Sequence, residues 1–301
     1  MPQRHQQLDA TAIVLMMLLC GCWGFNQVAI KLANEGISPI LQAGFRSIGS
    51  ALLLWAWSTY RGVGLFSRDG TLGLGIVVGV LFAAEFVFLY IGLAFTSASR
   101  AVLFLYMSPF VVALGAHFFV RGERLRGVQV LGLICAFTGM ATAFGDALRF
   151  PTREQLVGDA MALAAAILWG ATTVIVKATR LTAISPHKTL LYQLGISAIV
   201  LPLVSIGVGE RGIVDPSPLV LGMLAYQTVL VAFISYLAWF WLIASYPAGR
   251  LSSFTFLTPL LGTLAGAFVL NETITWALAL ALLLVAIGIY LVNRKDPRSA
   301  G

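Results

Sequence analysis

Five polar side chains are set into stretches otherwise made of Leu, Val, Ala, Ile and Phe: Asn26, Gln27, Gln42, Arg46 and Glu85. An ionisable group near the middle of a bilayer costs about 2.5–3.5 kcal/mol on insertion scales, so it is kept where it faces a cavity and works. Gln42 and Arg46 are four apart and share one helix face. At 1.5 Å per residue, Arg46 lies about 10 Å and Glu85 about 14 Å below one membrane boundary, with Asn26 and Gln27 in the same half. Three helices thus bring five polar groups to a similar depth. Arg46 and Glu85 have two readings. They form a buried ion pair joining two helices, or they receive the carboxylate and ammonium of a zwitterion. Glu85 has a third, as a carboxyl that takes up and releases protons.

Aromatic residues accompany them. Trp23, Tyr90, Tyr106, Trp169, Tyr236 and Trp239 lie deep or in the polar-rich helices, where they line a path for apolar side chains or simply pack. Trp55, Trp57, Trp241 and Trp276 lie near span ends and read as an interfacial belt. No metal or cofactor is expected. Cys20 and Cys22 point to different helix faces, and His5, His117 and His187 have no ligand spacing. None of the lysines follows a glycine, so there is no G-x-x-x-x-G-K-[ST] phosphate loop to drive transport with ATP. No nucleophile, acid/base set or metal cluster for an enzyme stands out. A channel would need symmetric rings of charge or carbonyls, and the polar cluster is asymmetric.

The elements that hold these residues are long and apolar. The chain is 59% hydrophobic and 10% charged, against about 25% charged for a soluble domain. A bilayer core takes roughly 20 apolar residues per helix. Ten spans are predicted, at 11–32, 39–60, 71–94, 101–120, 127–146, 156–178, 186–208, 217–244, 248–269 and 274–293. The expectation is an all-α integral membrane protein. The first span differs from a cleaved signal peptide because its apolar run continues through Ile30 without an A-x-A-like site. Lys and Arg concentrate at the termini and at 61–68, 121–126, 177–188 and 250, which places both termini in the cytoplasm. Basic ends against anionic headgroups account for the net charge of +7 without nucleic acid.

The sequence also repeats. "CWGFNQVAIKLA" at 22–33 returns as "LWGATTVIVKAT" at 168–179, and "SRAVLFLYMSP" at 99–109 as "GRLSSFTFLTP" at 249–259. Trp23 pairs with Trp169, Lys31 with Lys177, Arg100 with Arg250, Pro109 with Pro259 and Glu123 with Glu272. Asn26, Gln27 and Arg46 meet Thr172, Thr173 and Gln193, so the halves are not chemically equivalent. The organisation predicted is a cytoplasmic 1–10, a first five-helix unit at 11–147, a periplasmic connector at 148–155, a second unit at 156–293 and a cytoplasmic 294–301. An odd number of helices per unit inverts the second relative to the first, the plan of many secondary transporters. Proline in mid-helix removes a hydrogen bond and clashes with the carbonyl four residues back. Pro109 and Pro259 therefore mark either paired bends that help open the two faces alternately or fixed kinks needed for packing.

"WGFNQVAIK" and "SRAVLFLYMSPFVVALGAHFFVRGE", with its echo "GRLSSFTFLTPLLGTLAGAFVLNE", resemble the EamA-type branch of the drug/metabolite transporter superfamily over roughly residues 11 to 293. The resemblance implies a ten-helix bundle that works by alternating access in a bacterial inner membrane. It implies export of amino acids or related metabolites, with the aromatic amino-acid exporters the nearest fit. Drugs, polyamines and nucleotide-linked metabolites are alternatives within the same fold. A core shared between the repeats makes a monomer the default.

Overall fold

The computed structural model describes residues 7–145, 150–270 and 276–294. Glu272, Arg4, His5, Arg149, Lys295 and Arg298 lie outside them, as do most of the expected terminal segments and the first two residues of the connector. Among the described residues there is no β-strand, and one isolated bridge joins Ile37 to Ile213.

The helices are α1 Ala10–Ala33, α2 Pro39–Tyr60, α3 Leu72–Gly92, α4 Ala98–Leu105, α5 Ser108–Phe119, α6 Gly127–Ala143 and α7 Arg153–Ala178. There follow α8 Pro186–Gly207, α9 Pro218–Tyr226, a π-helix Gln227–Ser235, α10 Tyr236–Ser245, α11 Ala248–Phe254, α12 Leu257–Leu270 and α13 Trp276–Asn293. Local chemistry sets the starts. Asp9, Ser97, Thr152 and Ser217 cap α1, α4, α7 and α9 through side-chain oxygens, and prolines sit in the first turn of α2, α8 and α9. The cap at Thr152 starts α7 three residues before the predicted span, inside the expected connector.

Among the described residues eight segments are long and apolar enough to cross a membrane, and α6 is a shorter apolar helix. α2 has the length, at 22 residues, but buries Gln42, Arg46 and three serines. Two predicted spans are broken. The 101–120 span is α4 and α5, and the 248–269 span is α11 and α12. The breaks fall at Tyr106–Met107 and Thr255–Phe256, where the proline ring leaves the preceding turn without its donor. Pro109 and Pro259 thus open new helices rather than sitting within a bend.

The packing has matched pairs. α1 lies on α12 and α7 on α5, α2 lies on α8, and α6 on α13. Glycine permits the closest approaches: a Cβ on Gly24 would stand 2.8 Å from Gly262 N, and one on Gly170 would stand 2.6 Å from Val111 Cβ.

Hydrogen bonds sort the helix ends onto two faces. On the face where α1 begins, the near face, Tyr246 Oη donates to Asp9 (2.8 Å) and Lys188 Nζ donates to Asp69 (2.7 Å). There, too, Glu123 accepts from Ala248 N (2.7 Å) and stands 3.7 Å from Lys177. On the far face, Glu210 accepts both first-turn N–H groups of α2, from Ile40 and Leu41, at 2.9 Å each. Asp159, at the start of α7, receives Thr96 Oγ1 (2.7 Å) and Arg100 Nε (3.1 Å). α1 runs from near to far, and α7 from far to near.

Candidate functional site

A cavity of about 250 Å³ opens among α1, α3, α4, α7 and the π-helix with α10. Of its lining residues, Ile30, Leu93 and Ala98 stand at helix ends close to the far face, and Trp239 and Phe240 lie toward the near face. That volume is below the ~300 Å³ at which pockets for drug-sized ligands begin, so it suits a small metabolite.

Nine of the ten predicted pathway residues line it: Asn26, Gln27, Arg46, Glu85, Tyr90, Tyr106, Trp169, Tyr236 and Trp239. Gln42 does not. Its Nε2 donates to Asn34 Oδ1 (3.1 Å) near the start of α2, one turn closer to the far face than Arg46. Pro109 and Pro259 stay behind the wall, but Tyr106 and Thr258 beside the two helix breaks reach the cavity.

The polar groups are buried and incompletely paired. Arg46 is 1% exposed, its Nε and Nη2 lack hydrogen-bond partners, and its Cζ stands 4.6 Å from the Phe86 ring centre. Neither a hydrogen bond nor an ion pair joins Arg46 to Glu85 among the described residues, so the ion-pair reading of these two is not what the structure has. Asn26 Oδ1 and Gln193 Nε2 are also buried without partners, and both residues line the cavity. A buried polar group left unpaired costs about 1–3 kcal/mol. With Thr258 Oγ1, five such atoms around one cavity make a surface complementary to a ligand with its own acceptor and donor groups.

Aromatic rings fix the shape. Trp23 meets Trp239 edge-on at 5.6 Å, Tyr106 meets Trp169 at 5.9 Å, and Phe82 meets Tyr236 at 6.0 Å. Trp23 is held from behind, its Nε1 donating to Ser235 Oγ at 2.8 Å. Ser235 closes the π-helix, a form that recurs at functional sites. Hydroxyls take up carbonyls around it: Thr228 Oγ1 donates to Leu224 O and Ser50 Oγ to Thr228 O, both at 2.8 Å.

Gln193, Thr172, Thr173 and Phe86 were not among the residues predicted to line the path. The repeat held the signal for three of them, because Thr172, Thr173 and Gln193 align with Asn26, Gln27 and Arg46. Residues that align across the halves share the cavity. Asp159 gave no signal, since it reads as one acid near the start of an apolar span. Outside the spans, the Lys188 ammonium and the Thr71 hydroxyl hold the Asp69 carboxyl below the usual range. Burial pushes Glu123 up, against the pull of Lys177.

Comparison with known proteins agrees with this architecture. The chain is 29% identical to the uncharacterized transporter YvbV of Bacillus subtilis, over 95% of this chain and 92% of that one. It is 27% identical to a probable amino-acid metabolite efflux pump of Escherichia coli, over 92% and 93%. A solved crystal structure superposes with a TM-score of 0.84 at 18% identity, covering 98% of this chain and all of the other, a likeness of fold alone. The pattern of the EamA-like transporter family matches twice, at residues 10–145 and 156–294. With nearly the whole length accounted for, the chain belongs to the EamA-like transporter family.

Proposed function

We propose that this protein is a secondary carrier that exports amino acids or closely related metabolites across a bacterial inner membrane. It does so by alternating access between two inverted five-helix repeats, in ten crossings with both termini cytoplasmic. The observation that carries the substrate reading is the set of unpaired atoms in the cavity. Arg46 and Gln193 offer donors to a carboxylate, Asn26 and Glu85 offer acceptors to an ammonium, and aromatic rings leave room for an apolar side chain. The name of the Escherichia coli relative points the same way. Under this reading the cavity opens to the periplasm, and Trp239 and Phe240 close the cytoplasmic side. The matched packing of α1 on α12 and α7 on α5 supports the inversion.

Counterflow in proteoliposomes loaded with a panel of amino acids tests this. Saturable exchange, strongest for bulky apolar amino acids, is the expected result. Absence of exchange beside a working control transporter sinks the amino-acid reading and turns the search to drugs, polyamines and nucleotide-linked metabolites. An imposed pH gradient then tests Glu85 as the proton-coupling group: Glu85→Gln is expected to abolish any gradient dependence, and its survival overturns that role.

A further inference from the structure

A second cavity, about 540 Å³, lies at the near face between the α5–α6 turn, α11 and the end of α13. Its make-up differs from that of the central one. Among the described residues no aromatic ring lines it, and cations from three elements do: Arg121, Arg124 and Arg126 on the turn, Lys177 at the end of α7, and Arg250 on α11. Glu123 is the one acid among its described lining residues, and it is engaged by Ala248 N and Lys177. Arg126 and Arg250 are braced against the end of α13, donating to Arg294 O (3.0 Å) and Asn293 O (3.5 Å). Arg121 and Arg124 stand exposed at the rim.

Behind the rim the wall turns apolar. Ala113 and Ala116 on α5 and Leu133 on α6 line the inner part. Ala113 lies seven residues before Val120, about 10 Å deeper along the helix. A cationic rim over an apolar slot at a membrane boundary is complementary to an amphiphile with an anionic head. Basic pockets between membrane helices take phospholipid headgroups in this way.

We propose that this cavity binds an anionic phospholipid, its phosphate between Arg121 and Arg124 and the start of an acyl chain along Ala113, Ala116 and Leu133. The site is separate from the central cavity and does not depend on what that cavity carries.

The test is thermal unfolding of the purified full chain in nanodiscs of phosphatidylcholine, alone or with phosphatidylglycerol. The variant is Arg121→Gln with Arg124→Gln, and the control is Arg61→Gln with Arg68→Gln on the same face outside the cavity. Phosphatidylglycerol is expected to raise Tm for the native chain and the control. The cavity variant should need about tenfold more of it for the same rise, the loss of one charge-assisted contact. Arg121→Lys with Arg124→Lys, which keeps the charge, should retain most of the rise and shows that a loss in the Gln variant is not misfolding. An equal response of the Gln variant and the native chain overturns the proposal. So does a rise with inorganic phosphate, at matched ionic strength, equal to that with phosphatidylglycerol, which would make the site one for a small anion.

Discussion

Arg46 is 1% exposed, its Nε and Nη2 find no acceptor, and its Cζ stands 4.6 Å from the Phe86 ring centre. A buried charge without a partner is destabilising, and replacing it with an apolar side chain of similar length is neutral or better for folding. Arg46→Met is therefore expected to hold or raise Tm while cutting initial transport rates about 10- to 100-fold, the value of one hydrogen bond to a charged group. Unchanged transport would remove Arg46 from the substrate path. Lys188 and Asp69 are the opposite case, a close pair at the near face. The folded Asp69 carboxyl is depressed, so its contribution is present above the unfolded value of about 3.9 and lost as pH falls through the folded value. Asp69→Asn should lower Tm near neutral pH and flatten its acid limb, with the native and variant curves converging in acid. Parallel curves would show that the pair adds no pH dependence. At this scale the sequence revealed the cavity residues that break an apolar run, because a charge or amide in lipid needs a reason. It hid Gln193, whose role depends on which helix lies opposite.

The spans were legible because apolar length alone marks them: α2 begins and ends where predicted, and α8 departs by one residue at its end. The proline signal was legible too, but its outcome was not. Whether a lost hydrogen bond bends a helix or ends it depends on the packing of the preceding turn, and here both helices end. The π-helix left no trace in the sequence. Its wider turn is supported by hydroxyls from Thr228, Ser235 and, on another helix, Ser50. The Trp-Gly dipeptides now have a physical reason: Gly24 and Gly170 let α1 and α7 seat against α12 and α5, with the adjoining tryptophan turned into the cavity. Gly24→Leu should cost about 1–3 kcal/mol by overpacking against backbone. Gly21→Leu, where an added Cβ meets nothing within 4 Å, should cost little. Equal losses of Tm for the two would mean that the α1–α12 seam is not the constraint.

For the whole molecule, the charge bias predicts a cytoplasmic near face. A membrane-impermeant maleimide applied to intact cells should label Arg211→Cys at the far face and spare Arg68→Cys until the membrane is opened. The reverse order would turn the carrier around and make the cavity face the cytoplasm. The seam that joins Gly24 to Gly262 also has a consequence for biosynthesis. Roughly 240 residues separate the two partners. At a synthesis rate of about 5–20 residues per second, α1 waits on the order of ten seconds to a minute before α12 exists. During that interval its small-residue stripe is uncovered in the bilayer. The first half is thus a client awaiting its second half, and the ribosome's pace sets how long it must be shielded.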